Sequence, residues 1–265
     1  MVSFKNILAT ALLASSVIAA PTGNIQKRSS GKRGAAYNDA STVHALNSKG
    51  TISWAYDWNM LADGVLPSNV EFVPMLWGTK MFGGWLTAVQ TALSSGSSYI
   101  LGFNEPDMGS QAAMSPSDAA QSYKEYITPY SGRAKLVSPS VTNSGDASQG
   151  LGWMGSFLEQ CTDCGISVLA VHWYGESADE LKAFVNKATE FASQHGLESV
   201  WLTEFARNKD VNGSGSSSDT ANFLNEVLPW LDSQSMVGRY AYFMCANNYL
   251  VSDGGLSTAG EAYAS

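Results

Sequence analysis

The sequence predicts one α/β domain folded as a (β/α)8 TIM barrel, and three observations carry that expectation. Apolar, strand-like runs return every 30 to 40 residues or so, about the length of one βα unit. Segments with helical periodicity and capping signals fill the intervals. The conspicuous polar residues stand where the runs end on their C-terminal side. No Gly-rich dinucleotide fingerprint follows the early runs, so a closed barrel is favoured over an open doubly wound sheet.

Residues 1–20 are expected to be a signal peptide. Lys5 supplies the basic start, and the apolar stretch over 7–20 is too short and too rich in small residues to span a membrane. Residues 21–33 read as a short propeptide with two dibasic pairs, Lys27-Arg28 and Lys32-Arg33, so the barrel domain is assigned to 34–265 and the mature chain starts at Ser29 or Gly34. The expected location is outside the cell or in its wall. Residues 1–33 hold five basic residues and no acidic one, so their removal takes the formal charge from −8 to −13. Such a surface repels nucleic acid, anionic lipid and anionic polysaccharide and suits a neutral partner. No later apolar run is long enough for a membrane span. Nothing in the sequence asks for more than a monomer, or for a cofactor.

Seven strand-like runs are clear, at 52–56, 70–77, 99–103, 135–138, 168–174, 200–205 and 239–244. Continuous apolar stretches such as Val168-Leu-Ala-Val are expected of parallel strands covered on both faces. A weak eighth strand between Asp57 and Asn69 would complete the barrel as its second strand. Among the helices, Trp85, Val89, Ala92 and Leu93 form one apolar stripe, and Ser115-Pro116 offers an N-cap with proline in the first turn. Ser177-Ala-Asp-Glu180 is a capping box, with Gly196 as the stop. A further helix is read over 221–231, interrupted by Pro229.

Cys161 and Cys164 read as a local disulfide in an exported chain, and Cys245, inside an apolar run, as a buried free thiol. His44, His172 and His195 are too scattered to suggest a metal site.

Two strings carry the chemistry: Tyr99-Ile-Leu-Gly-Phe-Asn-Glu105-Pro-Asp and Ser199-Val-Trp-Leu-Thr-Glu204-Phe-Ala. Each is an apolar run ending in a glutamate. An ionisable carboxyl is costly there unless it is paired, hydrogen-bonded or useful. With the eighth strand counted, Glu105 and Glu204 end strands four and seven and face each other over the barrel mouth. Cleavage of a glycosidic bond needs such a pair, one acid to protonate the leaving oxygen and one carboxylate at the anomeric carbon. Glu105, following Asn104, suits the acid/base role, and Glu204 the nucleophile.

The strings Gly102-Phe-Asn-Glu-Pro-Asp107, Ala170-Val-His-Trp-Tyr174 and Leu202-Thr-Glu-Phe-Ala206 resemble glycoside hydrolase family 128, which includes the fungal alkali-sensitive linkage proteins. The likeness runs from about Gly34 to the C-terminus. It implies a retaining β-1,3-glucanase of the fungal cell wall. Glu105 would be acid/base and Glu204 nucleophile, with Tyr174 hydrogen-bonded to Glu204 and His172 supporting it.

Sugar rings stack on aromatic faces, and Trp54, Trp77 and Phe243 are the candidates for the substrate groove, the first two because they end runs on the catalytic side and Phe243 subject to strand parity near the rim. Trp173 and Tyr242 depend on strand parity near the rim, whereas Trp153, Trp201 and Trp230 read as packing residues. Competing readings are a wall-associated glucan-binding protein without turnover, which a missing carboxylate would mark, and a hydrolase of another neutral β-glucan. No Asp-x-x-Asp-x-Glu run of the chitinase kind occurs.

Overall fold

The computed structural model describes residues 31–265. The expected signal peptide and most of the expected propeptide lie outside the described residues. Eight parallel strands form the sheet: β1 Arg33–Tyr37, β2 Trp54–Tyr56, β3 Glu71–Phe72, β4 Tyr99–Ile100, β5 Lys135–Val141, β6 Ile166–Gly175, β7 Ser199–Arg207 and β8 Val237–Cys245. Their order is β3-β2-β1-β8-β7-β6-β5-β4. Just beyond β3 and β4 the ring closes: Leu101 N donates to Pro74 O at 2.9 Å, and Leu76 N to Leu101 O at 3.1 Å. Pro74 has no N–H to give, which keeps β3 short.

The strand that the sequence hid is the first, not the second. Residues 57–70 contain no strand and no helix; they are turns rich in Asp, Asn, Gly and Pro, with the Asp57 carboxylate accepting from Asn59 N at 3.1 Å and Asp63 N at 2.7 Å. The eighth strand is Arg33-Gly-Ala-Ala-Tyr, whose small residues give little β signal. They are small for a reason. A Cβ on Gly34 would lie 2.2 Å from the indole of Trp54.

Helices pack outside the sheet: α1 Ala40–Leu46, α2 Phe82–Ser94, α3 Pro116–Tyr126, α4 Gly150–Gln160, α5 Ala178–Gln194, the short α6 Asn208–Val211, α7 Ser217–Ser233 and α8 Thr258–Tyr263. The capping box at Ser177 and Glu180 is formed in α5. Helix α7 runs through Pro229, because Ser216 caps its start and Phe223, Leu224, Val227, Leu228 and Leu231 bury one face; that packing outweighs one lost backbone bond. Cys161 and Cys164 form a disulfide just past α4, Cα to Cα 5.1 Å. Cys245 is buried beside Thr42, and burial pushes its thiol up to about 12.

Within the barrel, Trp54, Tyr56, Val73, Met75, Leu101, Val137, Ala170 and Trp201 fill the interior. At its floor the Arg239 guanidinium lies 4.5 to 5.6 Å from the rings of Tyr99, Trp201 and Trp54. It pairs with buried Glu71 at 2.6 Å, whose other oxygen accepts from Ser98 N and Oγ. Removing one partner strands the other charge under the core. Glu71→Ala is therefore expected to lower the unfolding free energy by about 3 kcal/mol, read from a denaturant midpoint; a loss below about 1 kcal/mol would mean the pair is solvated.

Candidate active site

Strand parity decides what reaches the barrel mouth. On β6, His172 and Tyr174 point inward while Trp173 points out to stack on Phe223 of α7, centroids 6.1 Å apart. On β8, Phe243 reaches the mouth, whereas Tyr242 faces out and donates to Asp210 at 3.1 Å. On β2, residues 54, 56 and then 58 step up the interior. Trp54 is fully buried at the lower end, donating its Nε1 to Lys32 O at 3.0 Å. Its assignment to the substrate groove is thus corrected: it starts its strand, two steps below the rim. Trp58, four residues on, takes the place expected of Trp54.

Glu105 follows β4, and Glu204 lies on β7. The chain at 104–105 is pinned on both sides, Asn104 N donating to Trp77 O at 2.9 Å and Glu105 N to Ser140 O at 2.8 Å. Glu105 itself has φ +41°, a left-handed backbone that costs a non-glycine residue of order 1 kcal/mol. Trp58 has φ +56°. Both strained residues lie at the cleft.

Glu105 and Glu204 are both nearly buried, and a carboxylate oxygen of each and a ring nitrogen of His172 all lie within 4.8 Å of one another. Donors converge on Glu204. Tyr174 OH donates to Oε2 at 2.5 Å and Trp58 Nε1 to Oε1 at 2.7 Å, with Tyr56 OH 3.5 Å away. His172 Nδ1 is hydrogen-bonded to Glu105 Oε1 at 2.8 Å and stands 3.5 Å from Glu204 Oε2. Its stronger tie is therefore to Glu105 rather than Glu204. The second Glu105 oxygen accepts no hydrogen bond from the described residues.

His172 is fully enclosed and lines no open surface, which removes it from the residues able to touch substrate directly. Burial works against its imidazolium, but the charges of Glu204 and Glu105 and the bond to Glu105 outweigh this and hold it above its ordinary 6.5. A raised folded-state value gives stability that is fully present below the unfolded value and lost as pH rises through the folded one. Thermal midpoints of the wild type should accordingly fall as pH climbs above 6.5, and those of His172→Gln should lack that decline; identical slopes would show that His172 does not titrate here.

The two glutamates open into a cleft of about 470 Å³ whose wall includes Asn38, Trp58, Trp77, Asn104, Gln111, Tyr174 and Phe243. Of the residues expected at the groove, Asn104, Trp77, Tyr174 and Phe243 are brought together here. The Asn104 amide donates to Gln111 at 3.4 Å, while its buried Oδ1 has no hydrogen-bond partner among the described residues. Lys80 Nζ sits 3.5 Å from the Trp77 ring centre. A second depression of about 320 Å³ adjoins on the Glu105 side, walled by Thr142, Asn143, Ser144 and Gln149. The sequence reading missed Trp58, Asn38 and Gln111; only the alternation Trp54, Tyr56, Trp58 gave a signal, and it pointed to the last.

Residues 34–263 match the sequence profile of the family described as "Glycosyl hydrolase catalytic core". Alkali-sensitive linkage protein 1 of Schizosaccharomyces pombe is 34% identical over 256 residues, covering 89% of this chain but 45% of that protein, so the chain spans about half the length of this relative. Among solved structures, a family 128, subgroup III, curdlan-specific exo-β-1,3-glucanase from Blastomyces gilchristii, in complex with glucose, is 44% identical with a TM-score of 0.81, covering 88% of this chain and 97% of that one. A subgroup I endo-β-1,3-glucanase from Amycolatopsis mediterranei with laminaritriose is 27% identical, TM-score 0.73, covering 88% and 98%. From its profile match and this barrel, the chain belongs to the glycosyl hydrolase catalytic core family, within glycoside hydrolase family 128.

Proposed function

We propose that this protein is a secreted hydrolase of β-1,3-glucan acting in the fungal cell wall, working with retention of configuration through Glu105 and Glu204. The single observation that carries the reading is the approach of the two carboxylates within 4.8 Å at the floor of an open cleft. Retaining pairs stand about 5 to 5.5 Å apart; inverting pairs are spread wider to admit a water. Similar barrels that act on curdlan or were crystallised with laminari-oligosaccharides support the substrate. The apolar leader in the sequence supports export.

In the first step Glu204 attacks the anomeric carbon while Glu105 passes its proton to the departing glycosidic oxygen. Tyr174 and Trp58 hold both oxygens of Glu204, so one rotamer is kept ready for in-line attack. Glu105, tied to His172 through one oxygen, has the other to offer. In the second step Glu105 takes a proton from water, which attacks the glycosyl ester and releases Glu204. The depression walled by Thr142, Asn143 and Gln149 touches Glu105 and not Glu204, and so receives the leaving sugar.

Proton NMR of the first product from laminarin or a reduced laminari-oligosaccharide tests this. The β-anomer is expected before mutarotation; an α-anomer would replace retention by inversion, and no release of sugar from any β-1,3-glucan would remove the substrate assignment. The chain length of the products reads exo against endo action in the same experiment.

A further inference from the structure

The second dibasic pair is not a loose tail. Lys32 Nζ donates to the carbonyl oxygens of Leu231 at 3.2 Å, Asp232 at 2.8 Å and Gln234 at 2.7 Å, closing the C-terminal end of α7. Its own carbonyl accepts from Trp54 Nε1 at 3.0 Å and from Tyr240 N at 2.9 Å. Arg33 donates from Nε to Tyr240 OH at 3.0 Å, from one terminal nitrogen to Tyr263 O at 2.9 Å and to Ser265 O, and from the other to Asp232 at 3.1 Å. Its carbonyl accepts from Ser53 N at 3.0 Å, and its backbone lies in β1 between β2 and β8. These two side chains thus join the first strand, the last long helix and the C-terminal residue.

An endoprotease that reads paired basic residues needs both side chains in its own acidic pockets and the flanking backbone as a single extended strand with unpaired edges. Arg33–Gly34 offers neither. Both edges of β1 are occupied, and Gly34 lies under the Trp54 indole. Lys27-Arg28 comes four residues or fewer before Gly31, the first described residue, so it precedes the barrel in the chain.

We infer that Lys32-Arg33 is a structural clamp and that proteolytic maturation takes place at Lys27-Arg28. A dibasic-specific endopeptidase hydrolyses the Arg28–Ser29 bond, water completing the Arg28 carboxylate and the Ser29 amine, and the barrel keeps residues 29–33 as part of its mature chain. This inference stands on contacts at the barrel floor and is independent of the activity proposed above.

The test is the N-terminus of the full chain expressed in a secreting eukaryotic host that carries such a protease, read by Edman sequencing and intact mass. Wild type and the double variant Lys32→Ala/Arg33→Ala are expected to begin at Ser29, and Lys27→Ala/Arg28→Ala to begin upstream of residue 27. A wild-type start at Gly34, or upstream of Lys27, overturns the inference. Should the clamp variant fail to accumulate, the secreted wild type and a synthetic peptide of residues 24–40 are compared with the purified protease. The peptide is expected to be cut after Arg28 and after Arg33, and the folded protein after Arg33 at least ~100-fold more slowly than the peptide. Equal rates, or a peptide that resists at Arg33, remove the fold as the cause of protection.

Discussion

Glu204→Gln is expected to lose at least about 10³-fold in turnover of β-1,3-glucan while keeping its melting temperature close to that of the wild type. The amide keeps the volume and can still accept from Tyr174 or Trp58, so the barrel wall stays filled. What disappears is the oxygen that the proposed double displacement needs for its glycosyl ester. Smaller still, Glu204→Gly opens room at the anomeric carbon, and azide or formate should restore cleavage of an activated aryl glucoside, giving a glucosyl azide of inverted configuration when azide is used. Rescue confined to the Glu105→Gly variant would exchange the two roles, and wild-type turnover by Glu204→Gln would take the residue out of the reaction.

The second large effect belongs to Glu105. Glu105→Gln should lose a comparable factor on glucan, whose leaving sugar needs a proton, and far less in the first step with a leaving group of low pKa such as dinitrophenolate. The comparison separates a proton donor from a residue that merely shapes the cleft, because a shape effect would slow both substrates alike. In the proposed reaction His172 enters through Glu105: its contact with one oxygen leaves the other to face the bond to be broken. The left-handed backbone at 105 contributes to the same aim, and is held by the flanking bonds to Trp77 and Ser140.

Most of the frame was legible because buried parallel strands announce themselves as unbroken apolar runs, and helices as capped stripes. Arg33–Tyr37 escaped because close packing against Trp54 demands glycine and alanine, residues with weak strand preference. Between Asp57 and Asn69 only the count of eight asks for a strand, and the polar turn residues there form none. At the site, the glutamates were readable from their position after apolar runs. Which aromatics join them was not, since one step of strand register moves a side chain from mouth to floor or from inside to outside. Trp54 and Trp58 lie four residues apart on one face, and the alternation through Tyr56 leads up to Trp58 as the one at the mouth. His172 was placed beside the pair, but its stronger bond to Glu105 depends on a third dimension that spacing does not encode.

The bond between Arg33 and the last residue, Ser265, has a practical corollary. Both ends of the barrel leave from the side where strands begin, facing away from Glu105 and Glu204. A tether fused to either end and fixed to a bead or a polymer would hold the molecule by its base, with its mouth turned outward to insoluble material.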